Sequence, residues 1–439
     1  MIERTTAYCP QCPDTHDSDI VQEDGRVIGI IHCPQGDIRF PLSSHAALFH
    51  AIRKKSALVL RTAPTANRLR PLLNYLSITN ACDLHCTVCG ASARTDMRQA
   101  TFLPVQEIMR RARLTRKSGG RFLFLFGGEP AVHPDLCTIV KKLARLGFHL
   151  ILVTNGVKIG SDPGFARALK NNGLRKVSLQ FDSFREEILE KLGRNYLEQK
   201  RKALFFSNQA GLDIGLNCTV TRANQDELGD LISFFLDLGT RAKTLLLNSA
   251  THVGRFPEVW ENSPDREEVI LRVLDACHAI GLSQDDIQTV PAYLPWGLQG
   301  HPDCGIFFTL VRTPAGVIPL NRLIDVDAAY AKMARCRQRS SFFSTKLLPL
   351  YFVWRTRRPG QLLRIFRVAA GLIVAPRRYG FCTLCISNFK NAAFLDRHRL
   401  DHCSTAFLTS TGPVKGCLHY FRDQTFPGSK AYEDAHESC

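Results

Sequence analysis

The chain has 439 residues, of which 45% are hydrophobic and 22% charged, so it can bury one large core or several ordinary ones. Its formal net charge of +17 favours partners with anionic surfaces, namely phospholipid headgroups or nucleic acid. The 16 cysteines lie in a chain too long to be a small disulfide scaffold, so we expect thiols that bind metals in a reducing compartment.

The apolar stretches of the chain are all short. Residues 1–13 contain two cysteines and no apolar run of the signal-peptide type. Two of the longest runs, 347–354 and 368–375, are far shorter than the roughly 20 residues of a membrane-spanning helix. We therefore expect a cytoplasmic protein that is at most peripheral on a membrane.

Residues 1–50 are predicted to form a small knuckle built on a β-hairpin. Its strands are predicted at Ile20–Gln22 and Val27–Ile31, because Asp24-Gly25 between them is a strong turn signal. Paired thiols at hairpin tips hold one tetrahedral ion in rubredoxin-like and zinc-ribbon sites.

The knuckle supplies three thiols for such an ion, iron or zinc. A fourth ligand would have to come from His16, His32, His45 or elsewhere. The alternative is a fold that no longer binds a metal. The three candidate thiols are Cys9, Cys12 and Cys33.

Beyond the knuckle, composition divides the chain into five further segments. They are a basic, partly helical linker (51–71), an α/β domain (72–260), an extension of that domain (261–334), a basic amphipathic insert (335–378) and a cysteine-rich C-terminal region (379–439).

The α/β domain is predicted to contain a parallel sheet. Six short apolar runs alternate with amphipathic helical stretches, which indicates strands joined by crossover helices. Six units fit an incomplete (β/α)6 barrel, whose active face is formed by the loops after the strands. The predicted strands are Tyr75–Thr79, Arg121–Phe126, His149–Thr154, Lys176–Phe181, Ile214–Val220 and Lys243–Leu247. The predicted helices are Pro104–Lys117, Leu136–Leu146, Gly164–Asn171, Glu186–Ala210 and Asp226–Leu238.

Three cysteines follow the first predicted strand with the spacing C-x3-C-x2-C: Cys82, Cys86 and Cys89. One loop turn can bring three sulfurs to one face of an inorganic cluster. A ferredoxin-type cluster takes four cysteines, and the next one here is Cys137, so one iron would be open to a small molecule. The alternatives are a structural zinc loop or simply buried thiols.

This spacing resembles the signature of the radical S-adenosylmethionine (radical SAM) enzymes. In that family, the open iron of a 4Fe-4S cluster chelates the amino and carboxylate groups of SAM. The resemblance implies that Cys82, Cys86 and Cys89 are the cluster ligands and that SAM is a cofactor. It also implies a partial (β/α)6 radical SAM barrel.

The segment after the second predicted strand is Gly127-Gly128-Glu129-Pro130. Glycines let a backbone approach a ligand closely, and a carboxylate accepts hydrogen bonds from an ammonium group. The similar GGEP stretch of radical SAM enzymes holds the amino group of SAM, which implies that role for Gly127, Gly128 and Glu129. The alternative is a glycine turn with a surface glutamate.

Polar residues also end the later strands, where they are costly unless they meet a ligand or each other. Thr154 and Asn155 resemble the polar strand end of the family near the ribose and carboxylate of SAM. We expect Asp182 and Asn217 to line the same pocket, although any one of the four could instead cap a loop.

Further motifs resemble the tetraether lipid synthase group, which is also called pterin-methyltransferase-like. Members of that group activate inert C–H bonds of lipid chains and use an extra iron centre and auxiliary clusters. The chain departs from the group at Gln35-Gly36, where a histidine is expected, and in 61–74, which has no cysteine. At least one auxiliary cluster of that group is therefore not implied for this chain. The motifs are Cys9-Pro-Gln-Cys12 with Cys33-Pro, the run 126–136, Leu179-Gln-Phe-Asp182, His252-Val-Gly-Arg255, His301-Pro-Asp-Cys304 and Cys417-Leu-His-Tyr.

The C-terminal part is still rich in cysteine. The Cys382-Thr-Leu-Cys385 pair, with cysteines further along, is predicted to hold an auxiliary iron–sulfur cluster or a zinc ion, and buried structural thiols are the alternative. The candidates for this site are Cys304, Cys382, Cys385, Cys403 and Cys417.

The insert from Arg335 to Arg378 carries eleven Lys or Arg and no Asp or Glu, interleaved with aromatic and branched residues. Within it, 361–374 has the pattern of a helix lying in a membrane interface. Single-stranded nucleic acid and a core helix with a solvated basic face are the alternatives. We expect a membrane surface and no nucleic acid. The predicted apolar side consists of Leu362, Ile365, Phe366 and Ala369.

Together these patterns predict a radical SAM enzyme. Cleavage of SAM would give a 5′-deoxyadenosyl radical that abstracts hydrogen from an unactivated carbon, with a lipid or isoprenoid-like chain as the favoured substrate and a flavodoxin- or ferredoxin-type electron donor. C–C bond formation, methyl transfer and other alkyl modification stay open. The alternatives are modification of a soluble pterin, peptide or small molecule, and a zinc-dependent, non-enzymatic nucleic-acid-binding protein.

Overall fold

The structure is a computed structural model. It describes residues 2–9, 11–12, 14–62, 73–251, 254–256, 263–289, 301, 303–329, 331, 358, 360–387, 394–401, 403 and 405–419, with only the backbone for 58–62.

The N-terminal residues form an antiparallel sheet. Its strands are β1 (Glu3–Tyr8), β2 (Thr15–Glu23), β3 (Arg26–Cys33) and β4 (Gly36–Ser43), paired in chain order. The β2–β3 hairpin confirms the predicted one, with longer strands. Asp24 and Gly25 have φ angles of 45° and 77°. These left-handed conformations give the primed turn that matches the twist of a two-residue hairpin.

Helix α1 (Ala46–Thr62) joins this sheet to the rest of the molecule. Phe49 packs into the core of the N-terminal sheet, whereas Ile52 packs into the main core. The helix predicted in the basic linker is thus confirmed, but it starts earlier. Because one helix contributes to both cores, the knuckle and the main domain are held together by packing.

Six parallel strands form the centre of the main sheet and lie side by side in chain order. They confirm the six predicted strands, and one of them has the predicted bounds. The strands are β5 (Leu73–Ser77), β6 (Phe122–Phe126), β7 (His149–Thr154), β8 (Lys176–Gln180), β9 (Asp213–Val220) and β10 (Ala242–Ser249).

Helices cover one face of these strands. Leu123 and Leu125 are fully buried in the main core, while Phe122, Phe124 and Phe126 stand on the opposite, interior face and are only partly buried. The partial (β/α)6 barrel is confirmed. Its helices are α2 (Val105–Lys117), α3 (Leu136–Arg145), α4 (Val157–Ser161), α5 (Phe165–Asn171), α6 (Glu186–Lys191), α7 (Leu197–Gln209) and α8 (Leu228–Asp237).

The single helix predicted over 186–210 is wrong, because the structure has two helices there. α6 ends at Lys191 and α7 begins at Leu197. Gly193 has a φ angle of +62°, which no right-handed helix contains. A side chain at Gly193 would also lie 2.1 Å from the carbonyl oxygen of His85, so the break lets this segment touch the cysteine loop.

Later residues extend the sheet at both edges. β13 runs parallel to β10, β15 runs parallel to β5, and β14 adds to the N-terminal sheet beside β1. The C-terminal region is therefore built into both sheets. The elements are α9 (Arg266–Ala276), β11 (Gly305–Thr313), β12 (Gly316–Pro319), α10 (Leu362–Val374), β13 (Gly380–Ser387), β14 (Leu395–Asp396), α11 (Arg397–Asp401), β15 (Thr405–Leu408) and β16 (Pro413–Lys415). Within the described ranges, every helix falls short of the length and apolar character needed to cross a membrane.

Candidate active site

The cysteine loop follows β5 and is fixed from two sides. The Glu129 amide donates to the Ala81 carbonyl at 2.6 Å, and Cys89 forms a β-bridge with Arg255, which follows β10. Within the loop, Cys82 and Cys86 are buried in one small apolar cluster, and Cys89 packs against it. The structure thus brings the three predicted thiols to one pocket.

The pocket fits an iron–sulfur cluster in its donor chemistry. The Leu84 amide donates to Cys82 Sγ at 3.4 Å, and the Ala93 amide donates to Cys89 Sγ at 3.5 Å. Amide donors stabilise thiolates and tune the potential of a cluster. Burial raises the pKa of the Cys82 thiol above its usual range. Iron would reverse that effect, because a bound metal favours the deprotonated thiol.

Two arginines hold the loop, and the motif pattern assigned a role to neither. Arg255 donates to the Cys86 carbonyl at 2.8 Å and to the Ala93 carbonyl at 2.7 Å. Arg194 donates to the Val88 carbonyl at 2.7 Å, and its guanidinium lies beside the Cys86 thiol. The sequence signal near Arg194 is the glycine that precedes it, because glycine is unfavourable, though tolerated, inside a helix.

Glu129 is the centre of a buried hydrogen-bond network. Its carboxylate accepts from the Ala131 amide at 2.8 Å, the Thr154 hydroxyl at 2.7 Å and the Asn155 amide at 2.6 Å. The Asn155 side chain then donates to Asp83 of the cysteine loop at 2.6 Å. Burial raises the pKa of Glu129 to about 7, despite these three donors. A carboxylate has about four acceptor positions, so one is left for a ligand.

Gly127 and Gly128 have a structural reason to be glycine. A Cβ on Gly127 would lie 2.1 Å from the Thr79 carbonyl oxygen, and one on Gly128 would lie 2.1 Å from that of Ala81. Gly127 also has a φ angle of +144°. The two glycines therefore let Glu129 sit directly against the start of the cysteine loop. Their predicted contact with SAM stays a prediction.

The other predicted cofactor residues have different surroundings. Asp182 is buried, and its Oδ1 accepts from Arg194 and from the Thr219 amide, at 2.7 and 2.9 Å. One carboxylate oxygen of Asp182 is therefore used internally, whereas its Oδ2 is buried without a hydrogen-bond partner among the residues that the structure describes. Asn217 accepts from the Ser178 hydroxyl at 3.1 Å on the interior face of β9.

Unpaired polar atoms mark the interior wall beside Asn217. Gln180 pairs with Asn217 in register, and Asn248 belongs to the next strand, β10. Among the described residues, the side-chain carbonyl oxygens of Gln180 and Asn248 are buried without a hydrogen-bond partner. Buried polar atoms are rarely left unpaired unless a ligand or water meets them. These atoms fit a polar ligand such as SAM at the ends of the strands.

The knuckle gathers four potential metal ligands. The ligand atoms of Cys9, Cys12, His16 and Cys33 all lie within 4.8 Å of one another. Cys12 Sγ and His16 Nε2 are 3.0 Å apart. His32 instead contacts Asp19 and Asp37, at 3.1 and 3.0 Å. Among the candidate histidines, the structure therefore selects His16, and three thiols with one imidazole suit a single tetrahedral ion.

The structure contradicts part of the predicted C-terminal metal site, because Cys382 and Cys385 cannot both belong to it. Side chains alternate along a strand, so positions three apart point to opposite faces. Cys382 packs into the main core, whereas Cys385 lies on the interior face opposite Leu246, where burial raises its pKa to about 12. Two thiols on opposite faces of β13 cannot bind one metal.

Three of the other predicted cysteines come together around Arg399. Arg399 Nε donates to Cys304 Sγ at 3.0 Å. Burial alone would lower the pKa of Arg399, but the negative charges that Cys304 and Cys417 can carry raise it. The Cys403 thiol is also close enough to Cys304 for their charges to interact. Arg399 therefore interacts with all three thiols, those of Cys304, Cys403 and Cys417.

Comparison with known proteins agrees with this geometry. Residues 76–235, which include the cysteine loop, Glu129 and Arg194, match the family model of the radical SAM superfamily. The chain is 26% identical over 368 residues to a 7,8-dihydro-6-hydroxymethylpterin dimethyltransferase of Methanocaldococcus jannaschii, covering 74% of this chain and 72% of that protein. It is 30% identical over 175 residues to a probable GTP 3′,8-cyclase of Methanothermobacter thermautotrophicus, covering 39% of this chain and 56% of that protein.

A solved structure also matches part of the chain. Streptococcus suis SuiB bound to its precursor peptide SuiA has 18% sequence identity and a TM-score of 0.43, covering 52% of this chain and 50% of that one. The family match, the relatives and the cysteine loop after the first barrel strand agree. Residues 76–235 therefore correspond to a radical SAM domain, and the relatives that the chain resembles are enzymes of that superfamily.

Proposed function

We propose that this radical SAM enzyme abstracts hydrogen from an unactivated carbon of a lipid or isoprenoid-like chain. The observation that carries the proposal is an aromatic wall inside the barrel. The rings of Tyr75 and Phe124 stack with centroids 4.5 Å apart, and Phe407 stacks on Tyr75 at 5.3 Å and meets Phe126 at 5.9 Å. Tyr75, Phe124 and Phe126 are only partly buried, so they offer apolar surface to the interior.

The opposite wall of the interior is polar and supports SAM. It carries Gln180, Asn217 and Asn248, next to the Glu129 network and the cysteine loop. When bound, a 4Fe-4S cluster supplies one electron that cleaves SAM to methionine and a 5′-deoxyadenosyl radical. A flavodoxin- or ferredoxin-type donor would deliver that electron. The radical takes a hydrogen atom from the substrate, which leaves 5′-deoxyadenosine and a carbon radical.

In this arrangement, the residues of the chain position the reactants. Glu129 accepts a hydrogen bond from the amino group of SAM, and Thr154 and Asn155 fix the Glu129 carboxylate. The aromatic wall holds an alkyl chain away from water, which protects a carbon radical from side reactions. C–C bond formation, methyl transfer and other alkyl modification are all compatible with this first step.

Modification of a pterin is a second candidate. The M. jannaschii relative is named for dimethylation of a hydroxymethylpterin. The parallel rings of Tyr75 and Phe124, tilted by only 12°, would also stack on a flat heterocycle.

Isotope transfer distinguishes the two candidates. The protein would be reconstituted anaerobically with iron and sulfide, then given dithionite, SAM and a phospholipid with fully deuterated acyl chains. We expect deuterium in the 5′-deoxyadenosine, measured by mass spectrometry. Transfer from a deuterated hydroxymethylpterin but not from the lipid would establish the second candidate. Absence of 5′-deoxyadenosine with either substrate would contradict the radical cleavage itself.

Replacing Glu129 with glutamine should weaken SAM binding by about tenfold to a hundredfold, which is the usual worth of a hydrogen bond to a charged group. Only the ionised carboxylate can accept one more hydrogen bond. Because the pKa of Glu129 is about 7, SAM affinity of the parent should rise between about pH 6 and about pH 8, and that of the variant should not.

Equilibrium dialysis with labelled SAM measures the effect of the Glu129 substitution. Glu190→Gln on the exposed side of α6 is the matched control and should bind SAM as the parent does. Equal affinity of the parent and Glu129→Gln across this pH range would contradict the assigned role.

We also propose that the knuckle binds one zinc or iron ion through Cys9, Cys12, His16 and Cys33. Loss of one of four ligands should weaken metal binding by roughly a hundredfold, because each ligand supplies about a quarter of the binding free energy. His16→Ala should therefore lose its ion to a chelator concentration that the parent withstands, as measured by elemental analysis. His32→Ala is the control and should keep the ion. A His16 variant as resistant as the parent would exclude this ligand set.

We further propose that Cys304, Cys403 and Cys417 hold an auxiliary iron–sulfur cluster. Support comes from the clustering of these thiols around Arg399, whose charge would offset that of thiolates. Cys382 and Cys385 are excluded from this proposal by their opposite orientations on β13.

A further inference from the structure

Helix α10 has two apolar faces. Its inner face packs on a small satellite core, in which Val368 is buried beside Val311 and Leu323, and Ile365 and Leu372 pack against that core. The structure thus corrects the predicted apolar side, because Phe366 and Ala369 are both exposed, whereas Leu362 and Ile365 are partly buried. The inner face is enough to hold the helix in place, and the outer face is not needed for packing.

The outer face of α10 exposes large apolar side chains. Leu363 is 82% exposed, Phe366 60%, Ile373 81% and Val374 82%. A surface helix of a globular protein normally turns polar residues outward. Among the described residues, these four side chains form the densest group of exposed large hydrophobic residues. Such a patch indicates a binding surface.

Positive charges surround this patch. Arg364 and Arg367 lie on the exposed side of α10, and Arg377 and Arg378 follow the helix, all of them exposed. None of the four forms an ion pair within the described part of the chain; Arg364 contacts only Gln361, at 3.4 Å. No Asp or Glu occurs anywhere between Arg335 and Arg378. The patch therefore presents apolar side chains, and every charged residue of its own segment is cationic.

We propose that the outer face of α10 docks the enzyme on an anionic phospholipid bilayer. Leu363, Phe366 and Ile373 would enter the acyl boundary, and the arginines would contact lipid phosphates. At 13 residues the helix is about 20 Å long, which suits lying in the interface plane.

Charge decides between the possible occupants of this face. A second copy of the chain would bring the same arginines against each other, and the chain's own segment 335–357 is equally basic. Both contacts would be repulsive, whereas an anionic bilayer is complementary. The inference goes beyond the proposed substrate, because docking requires neither the cluster nor SAM.

Flotation of the 439-residue chain with vesicles tests the docking proposal. The assay contains neither SAM nor reductant, so a negative result would contradict docking and leave the enzymatic proposal unaffected. We expect binding to vesicles of equal parts phosphatidylglycerol and phosphatidylcholine, and at least tenfold weaker binding to phosphatidylcholine alone or at high salt. Phe366→Ser and Ile373→Ser should each weaken binding about tenfold. Arg364→Gln and Arg367→Gln should each weaken it about fivefold.

Phe205 provides the matched control. It is the same residue type, is 58% exposed and lies on α7, away from the patch. Phe205→Ser should leave vesicle binding unchanged. The proposal is overturned if the parent does not bind anionic vesicles, if Phe366→Ser binds like the parent, or if Phe205→Ser loses as much. A parent that is dimeric in solution and becomes monomeric with Phe366→Ser would also overturn it, because the face would then bind a second copy.

Discussion

Cys86→Ala is expected to abolish SAM cleavage. The Cys86 side chain is 8% exposed and lies in the same small cluster as Cys82. Because one iron is assigned to SAM, only three thiolates hold the cluster, so the loss of Cys86 leaves a second iron without a protein ligand. We expect 5′-deoxyadenosine to fall below detection and the electron-paramagnetic-resonance signal of the reduced cluster to disappear.

Cys137→Ala is the control for this prediction. Cys137 lies on α3 and packs against the main core, outside the cysteine loop. Its variant should keep both the cluster signal and the parent rate. A Cys86 variant with the parent's cluster signal would show that another residue is the ligand.

Arg194→Gln is expected to lower the free energy of unfolding by about 3 to 5 kcal/mol, the usual cost of breaking a buried ion pair by removing one partner. Arg194 and Asp182 are 2.7 Å apart, with side chains 5% and 0% exposed. Glutamine would leave Asp182 buried without its cation. Lys200 is buried nearby, and burial lowers its pKa to about 8, so it can offset only part of the loss.

The same change should also loosen the cysteine loop, since Arg194 donates to the Val88 carbonyl. Denaturant unfolding under anaerobic conditions measures the stability. The double variant Asp182→Asn with Arg194→Gln removes both charges and should be more stable than Arg194→Gln alone. The contradicting outcome is a loss of unfolding free energy in the double variant that equals the summed losses of Asp182→Asn and Arg194→Gln. In that case the two side chains are not coupled, and this account of Arg194 fails.

Local patterns were sufficient to place the barrel and its cysteine loop. β7 has the predicted bounds, His149–Thr154, and the other five strands differ only at their ends. A strand packed between the covering helices and the barrel interior corresponds to a short apolar run in the sequence. The polar residues that follow this run form the loop at the active face. Both features depend on consecutive residues, so they can be identified from the sequence.

Contacts between distant residues could not be identified in that way. The 186–210 stretch has the apolar spacing of one helix, but Gly193 must meet the backbone of His85, about a hundred residues earlier. That contact breaks the helix and places Arg194 against the cysteine loop. Likewise, the Cys382–Cys385 spacing is typical of a metal-binding turn, and only its location on β13 shows that the two thiols diverge.

The sequence by itself therefore determined the order of the strands, the loop that carries Cys82, Cys86 and Cys89, and the position of Glu129 after the second strand. Only the tertiary structure decided that His16 joins the knuckle thiols, that Cys304, Cys403 and Cys417 gather around Arg399, and that Phe366 faces outward. The physical reason is that periodicity and turn chemistry act between neighbours in the chain. Metal ligands, ion pairs and the exposed side of a helix instead depend on which elements pack together.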